Sequence, residues 1–261
     1  MMASMSGARG VHRHRSRAQL AALLKVEAKL SLREPYALGV GVALPAVLLV
    51  VFGFISKNVP GNVAGSGLTV IDLYVPTLMV ISFIAIAISL PRTIVRDREI
   101  GWLRRISTTP VHPARLLAAE LILDLVLAAV AIVIIIVGGT VIFGAPLSVG
   151  IPFFVLSIAL AIAEIFSLGL IVVAVAPNQT AATTVSGVLF FALLFLSGLW
   201  VQPVQVGGAL REVMWYSPSG AAVRAVLYSV FHATPPVPTL LTLAGYTVLF
   251  AFIAVRYFRW E

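Results

Sequence analysis

Apolar and polar positions alternate along this chain in long blocks rather than in the short periods of a soluble fold. Long apolar runs fall at roughly 37–56, 71–91, 116–143, 151–176, 180–201 and 238–256. Each is near the ~20 residues a helix needs to cross a bilayer. The first, "ALGVGVALPAVLLVVFGFIS", carries no charge. Pro45 and Pro76 fall inside spans, where neighbouring helices re-satisfy the freed carbonyls. Pro177-Asn178-Gln179 is a tight polar break between the fourth and fifth runs. The pattern predicts an all-α polytopic membrane protein with six transmembrane helices over 37–256.

Composition agrees: 60% of the 261 residues are hydrophobic and 11% charged, against about 25% charged in soluble domains. The chain has no cysteine, which excludes disulfides, thiolate metal sites and cysteine nucleophiles. Fifteen of its 18 Lys/Arg lie in the N-terminal segment, in the 92–115 loop and at the C-terminus, segments that six spans place on one side. The opposite side holds Lys57, Arg211 and Arg224. By the positive-inside rule both termini and the 92–115 loop are expected in the cytoplasm of a cell-membrane protein. The basic excess is thus topological, and no nucleic-acid partner is expected.

Residues 1–16 are Arg/His/Ser/Gly-rich and are expected to be disordered. Over 17–34 the helical wheel gathers Leu20, Leu23, Leu24, Val26 and Leu30 on one side and Lys25, Lys29 and Arg33 on the other. That pattern fits an interfacial amphipathic helix with its lysines near lipid phosphates; a plain topogenic charge cluster is the alternative. Residues 257–261 form a short cytoplasmic C-terminus.

The one dense polar interruption between spans on that side is "RDREIGWLRRISTTPVHPARLL", residues 96–117. Read as a helix from about Asp97 to Ser107, it places Ile100, Leu103 and Ile106 on one face, with Trp102 at the edge. Arg98, Gly101 and Arg105 take the other face. Pro110 would end that helix, and Pro113 suits the first turn of the next. Such an amphipathic helix fits a groove on a soluble partner; a solvated topological loop is the alternative.

These residues carry a resemblance. "RDREIGWLRRISTTPVHPARLLAAE" resembles the cytoplasmic segment of ATP-binding-cassette (ABC) exporter permeases of the second type, matching an E-x-G-x-L pattern and a following T-P-V at Glu99, Gly101, Leu103, Thr109, Pro110 and Val111. "FLSGLWVQPVQVGGALREVMWYSPSGAAVRAV" (195–226) is similar to the family's S-G-x-x-x-P stretch, which leads into a half-inserted outer hairpin, here 202–237, before the last span. Val206-Gly207-Gly208 stands where a second proline is common. Within the family the chain looks most like the daunorubicin-resistance and nodulation-factor exporter permeases.

The resemblance implies a permease that pairs with a second permease copy or sister chain and with cytoplasmic ABC ATPase subunits. It also implies that residues 97–107 are the coupling helix, with Asp97, Arg98, Glu99, Ile100, Gly101, Trp102, Leu103, Arg104 and Ile106 meeting the ATPase. No lysine follows a G-x-x-x-x-G pattern, so no phosphate-cradling loop is present. The chain is therefore expected not to be the enzyme and to bind no cofactor itself; ATP and Mg would sit on the partner.

Glu120, Asp124 and Glu164 fall within spans, where a charge costs roughly 2.5–3.5 kcal/mol on insertion scales. They are candidates for a substrate path or a proton relay, with interhelical hydrogen bonding as the structural alternative and Arg115 as a counter-charge near Glu120. An ion-coupled secondary transporter or channel using these carboxylates is the alternative function. The histidines (His12, His14, His112, His232) are dispersed, and Ser219-Gly220 after Pro218 is a turn signal rather than a nucleophile elbow.

Overall fold

The computed structural model describes residues 38–59, 63, 67–101, 113–145, 150–231 and 234–257. Their regular structure is helical throughout. A π-helical turn, Gly39–Ala43, leads into α1 (Leu44–Asn58). Then come α2 (Val70–Ala87), α3 (Ser89–Glu99), α4 (Pro113–Val137) with a terminal π-turn Gly138–Ile142, α5 (Ile151–Val175) and α6 (Gln179–Leu196). A 3-10 turn, Pro203–Gln205, precedes the hairpin of α7 (Gly208–Tyr216) and α8 (Pro218–Val230), and α9 (Val237–Tyr257) ends the bundle. Six stretches are long and apolar enough to cross a membrane, among them Val70–Glu99 as one 30-residue span. The expected interfacial helix at 17–34, the segment 1–16 and residues 258–261 lie outside the described residues.

Helix α2 is apolar all round and so belongs inside a bundle. Every residue after Val70 is buried, with α1, α4, α5, α6 and α8 packed around it. The outer helices turn large apolar side chains outward instead, as Phe54, Val133, Val248 and Phe252 show. This is the inside-out polarity that a lipid solvent selects.

The second span departs from the sequence expectation. Helix continues through 92–96, which the charge pattern assigned to a loop, into the 97–99 turn expected to be helical, while Pro113 opens α4 as expected. At 1.5 Å per residue a span of 30 residues outruns the ~30 Å hydrocarbon layer. Arg92, Arg96 and Arg98 therefore ride on a helical extension rather than on a loop. Ile88 marks a break between α2 and α3. Pro91 has no N–H, which leaves the Ala87 carbonyl without its helical donor. Gly169 of α5 packs against that carbonyl so closely that an added Cβ would lie 2.6 Å from the oxygen.

The fifth span is shorter than 180–201. Helix α6 stops at Leu196 because Gly198 takes φ +88°, and Ser197 Oγ caps back to the Leu194 carbonyl at 2.8 Å. Pro203 stands five residues after Gly198, one further than the S-G-x-x-x-P spacing. The turn is tied to the core where Tyr74 Oη donates to the Leu199 carbonyl at 3.1 Å.

The hairpin dips into the bundle and returns. Ser219 Oγ donates to the Leu193 carbonyl, inside the end of α6. Further along α8, Ser157 Oγ donates to the Ala225 carbonyl, and at its end the Gly150 N–H donates to the Ser229 carbonyl, at the mouth of α5. The Tyr216–Pro218 turn is the deepest point. Gly220 makes that turn possible, since a Cβ there would overlap the Met214 carbonyl oxygen.

Candidate functional site: the basic end of the bundle

At the end opposite the hairpin, α3 finishes against the connection between α5 and α6. The α3 terminus is built by its last turn: the Ile100 N–H donates to the Arg96 carbonyl at 3.0 Å and the Gly101 N–H to the Arg98 carbonyl at 3.1 Å. Gly101 takes φ +68°, the left-handed position at which helices commonly stop on glycine. An uninterrupted helix over 97–107 therefore does not form. Asp97, Arg98 and Glu99 are the closing residues of α3, and Ile100 and Gly101 are its exit. Among the described residues nothing lies within reach of a Cβ at Gly101, and its positive φ is itself a reason for glycine there. Trp102, Leu103, Arg104 and Ile106 lie outside the described residues.

Two adjacent side chains then reach across. Arg98 Nη2 donates to the Ala176 carbonyl. Glu99 Oε1 accepts from the Gln179 backbone N–H at 3.1 Å. Gln179 is the first residue of α6, whose N-cap Asn178 accepts from the Ala181 N–H at 2.7 Å. Asn178 satisfies one of the free N–H groups at the start of that helix and Glu99 a second, while placing negative charge at the positive end of the helix dipole. The guanidinium in turn meets a carbonyl at the close of α5. The two bonds thus fasten one helix end to both sides of a single turn. Asp97 sits beside Arg96, with 3.5 Å between Oδ1 and Nε.

Beside this latch lies a cavity of about 520 Å³ lined by Arg98, Glu99, residues 174–177 and Tyr257. Tyr257 closes α9, so the C-terminal end of the chain emerges at the same end of the bundle as the 96–101 segment. The Pro177-Asn178-Gln179 break was visible in the sequence only as a turn. Its Asn before a long apolar run was an N-cap signal, but nothing local could reveal its partner 80 residues away.

The three intramembrane carboxylates do not form one site. Among the described residues no three acidic or histidine side chains converge in a way that would hold a metal ion. Glu120 and Asp124 sit on α4, which packs chiefly on α1 and α2; Glu164 sits on α5, which packs on α2, α3, α8 and α9. Glu164 is fully buried, and neither carboxylate oxygen has a hydrogen-bond partner among the described residues. Asp124 is buried and Glu120 half-buried, each with an interaction of its own. The Arg115 side chain, expected near Glu120, lies outside the described residues. A fourth carboxylate, Asp72, escaped the sequence reading. It is buried at the start of α2, where Thr69 N and Oγ1 donate to its Oδ2 at 2.9 and 2.7 Å.

Residues 18–231 match the family described as ABC-2 type transporter, which takes in both the latch and the hairpin. The chain belongs to the ABC-2 type transporter family. An ABC-2 chain is the multi-pass permease subunit of an ABC transporter; it associates with an ATP-binding-cassette subunit, and ATP hydrolysis lies with that separate subunit. No curated protein matches the sequence.

Proposed function

We propose that this ABC-2 permease is the membrane half of an exporter that moves a hydrophobic or amphiphilic molecule (a drug, lipid or glycolipid) out of the cytoplasm or the inner leaflet. The sequence resemblance to daunorubicin-resistance and nodulation-factor exporter permeases supports this substrate class. The skewed Lys/Arg distribution supports a plasma-membrane setting with both termini cytoplasmic. Two permease copies, or this chain and a sister, build the pathway, and the partner ATPase holds ATP and Mg.

The observation that carries the reading is the pair of bonds at the end of α3. The segment expected to meet the ATPase begins at a helix end fastened to the α5–α6 turn through Arg98 and Glu99. A push on residues 97–106 is thereby delivered to the second span, which is the bundle's core, and to the fourth and fifth through their connection. The proposed role of Asp97, Arg98 and Glu99 is to position and transmit; that of Ile100, Trp102, Leu103, Arg104 and Ile106 is contact with the motor.

Glu164 is the proposed polar element of the path, with Asp124 and Glu120 on the neighbouring α4. In a single copy Glu164 is enclosed, so lining a path requires α5 to part from a neighbouring helix during the cycle. The direct test uses inside-out membrane vesicles containing the permease and its ATPase. External ATP should drive a fluorescent amphiphile into the vesicle lumen. ATP-dependent loss of preloaded amphiphile would instead mean import.

A further inference from the structure

The hairpin end of the bundle carries cations that the coupling account does not use. Lys57 is satisfied there, since its Nζ donates to the Ile142 carbonyl at 3.1 Å and lies over the Phe143 ring. Arg211 and Arg224 each keep buried N–H groups without an acceptor among the described residues. The antiparallel run of α7 and α8 brings both guanidiniums to one indole: the Arg224 Cζ lies 4.3 Å from the Trp215 ring centroid and the Arg211 Cζ 5.5 Å from it. Arg224 also approaches Tyr216, at 5.6 Å. Nε of Arg211 and Nε and Nη1 of Arg224 are buried without a hydrogen-bond acceptor among the described residues. Neither guanidinium has an acidic partner among them.

Two like charges held against one ring repel, and buried charged donors without acceptors are costly. The indole compensates part of the charge through its face but supplies no acceptor to N–H groups. One group answers both deficits: an oxyanion between the two arginines, whose planar forks suit phosphate better than a lysine does. Tyr246 Oη donates to the Tyr216 carbonyl at the hairpin tip, which ties the turn beside the two arginines to α9.

We propose that Arg211 and Arg224, gathered on Trp215, form a binding site for a phosphate-type oxyanion, carried by a lipid headgroup or free in solution. The site is independent of the ATPase junction and of the direction of transport.

The test titrates the purified full-length chain, in neutral detergent at constant ionic strength set with chloride, with short-chain phosphatidylglycerol and separately with inorganic phosphate. The thermal unfolding midpoint is the readout. A saturable rise is expected with at least one probe; phosphatidylglycerol alone assigns a lipid headgroup, and a rise with inorganic phosphate shows that the free anion suffices. In Arg211→Gln/Arg224→Gln the half-saturating concentration should increase on the order of tenfold or more, the scale of a lost charge-assisted hydrogen bond. Arg256→Gln, at the opposite end, should match the parent. Arg224→Lys keeps a cation on Trp215 without the planar fork, so it provides the same comparison if the double variant does not fold. No saturable response to either probe, or unchanged half-saturation in the folded variants, would overturn the site.

Discussion

Glu99 caps a helix 80 residues away: its Oε1 accepts the Gln179 backbone N–H at 3.1 Å, while the neighbouring Arg98 holds the Ala176 carbonyl. This pair ties the end of the second span to the α5–α6 turn. The end of α3 cannot shift without moving the α5–α6 turn or breaking these bonds.

The exit at Gly101 should be sensitive to backbone sign and indifferent to size. With φ +68° and no described neighbour within reach of a Cβ, Gly101→Asn should be tolerated, since asparagine visits the left-handed region readily. Gly101→Val should lose coupling, as a β-branched residue is a true outlier there. Transport per unit of permease in membranes, compared across the two variants, checks this. Equal defects would indicate that bulk rather than backbone geometry matters.

Gly169→Ala addresses the break in the second span. The new methyl carbon would stand 2.6 Å from the Ala87 carbonyl oxygen, and backbone on both sides limits relief. A loss of about 1–3 kcal/mol, the usual range for overpacking, should appear as a lower thermal midpoint in detergent. Gly187→Ala, where no described residue lies near the added carbon, is the control and should be neutral or slightly stabilising on helix propensity.

Glu164→Gln keeps the shape of the side chain and removes the possibility of a buried charge. Assembly with the ATPase and membrane abundance should be unchanged, while transport rate or substrate profile shifts. Unchanged export across several amphiphiles would leave Glu164 as a packing element of α5.

Much of this architecture is legible in the chain itself. The six spans follow from hydropathy because a lipid solvent imposes long apolar runs, whereas the hairpin was implied by the resemblance of 195–226 to the permease family's S-G-x-x-x-P stretch. Charge misled the reading at 92–96, where an Arg-bearing amphipathic helix resembles a loop when only polarity is counted. The helical wheel drawn through Gly101 failed because periodicity carries no information on the sign of φ. Asp72 was overlooked because a capping carboxylate looks like the start of a span. The latch itself was beyond local inference: Glu99 and Gln179 are joined by tertiary folding, and neither residue's surroundings in sequence announce the other.

The latch gives the most direct test of the account. The permease should be co-expressed with its ATPase as wild type, Glu99→Ala and Leu103→Asp, and transport and substrate-stimulated ATP hydrolysis measured at matched membrane abundance. Glu99→Ala removes a cap contributing about 1 kcal/mol, too little to unfold six spans. Leu103→Asp removes an apolar contact contributing roughly 1.5–3 kcal/mol when fully buried. Both activities should fall together in both variants, more steeply in Leu103→Asp, with the complex still assembled in Glu99→Ala. Wild-type transport and stimulation in Glu99→Ala and Leu103→Asp proteins of normal abundance would contradict the claim that this junction couples the motor to the spans.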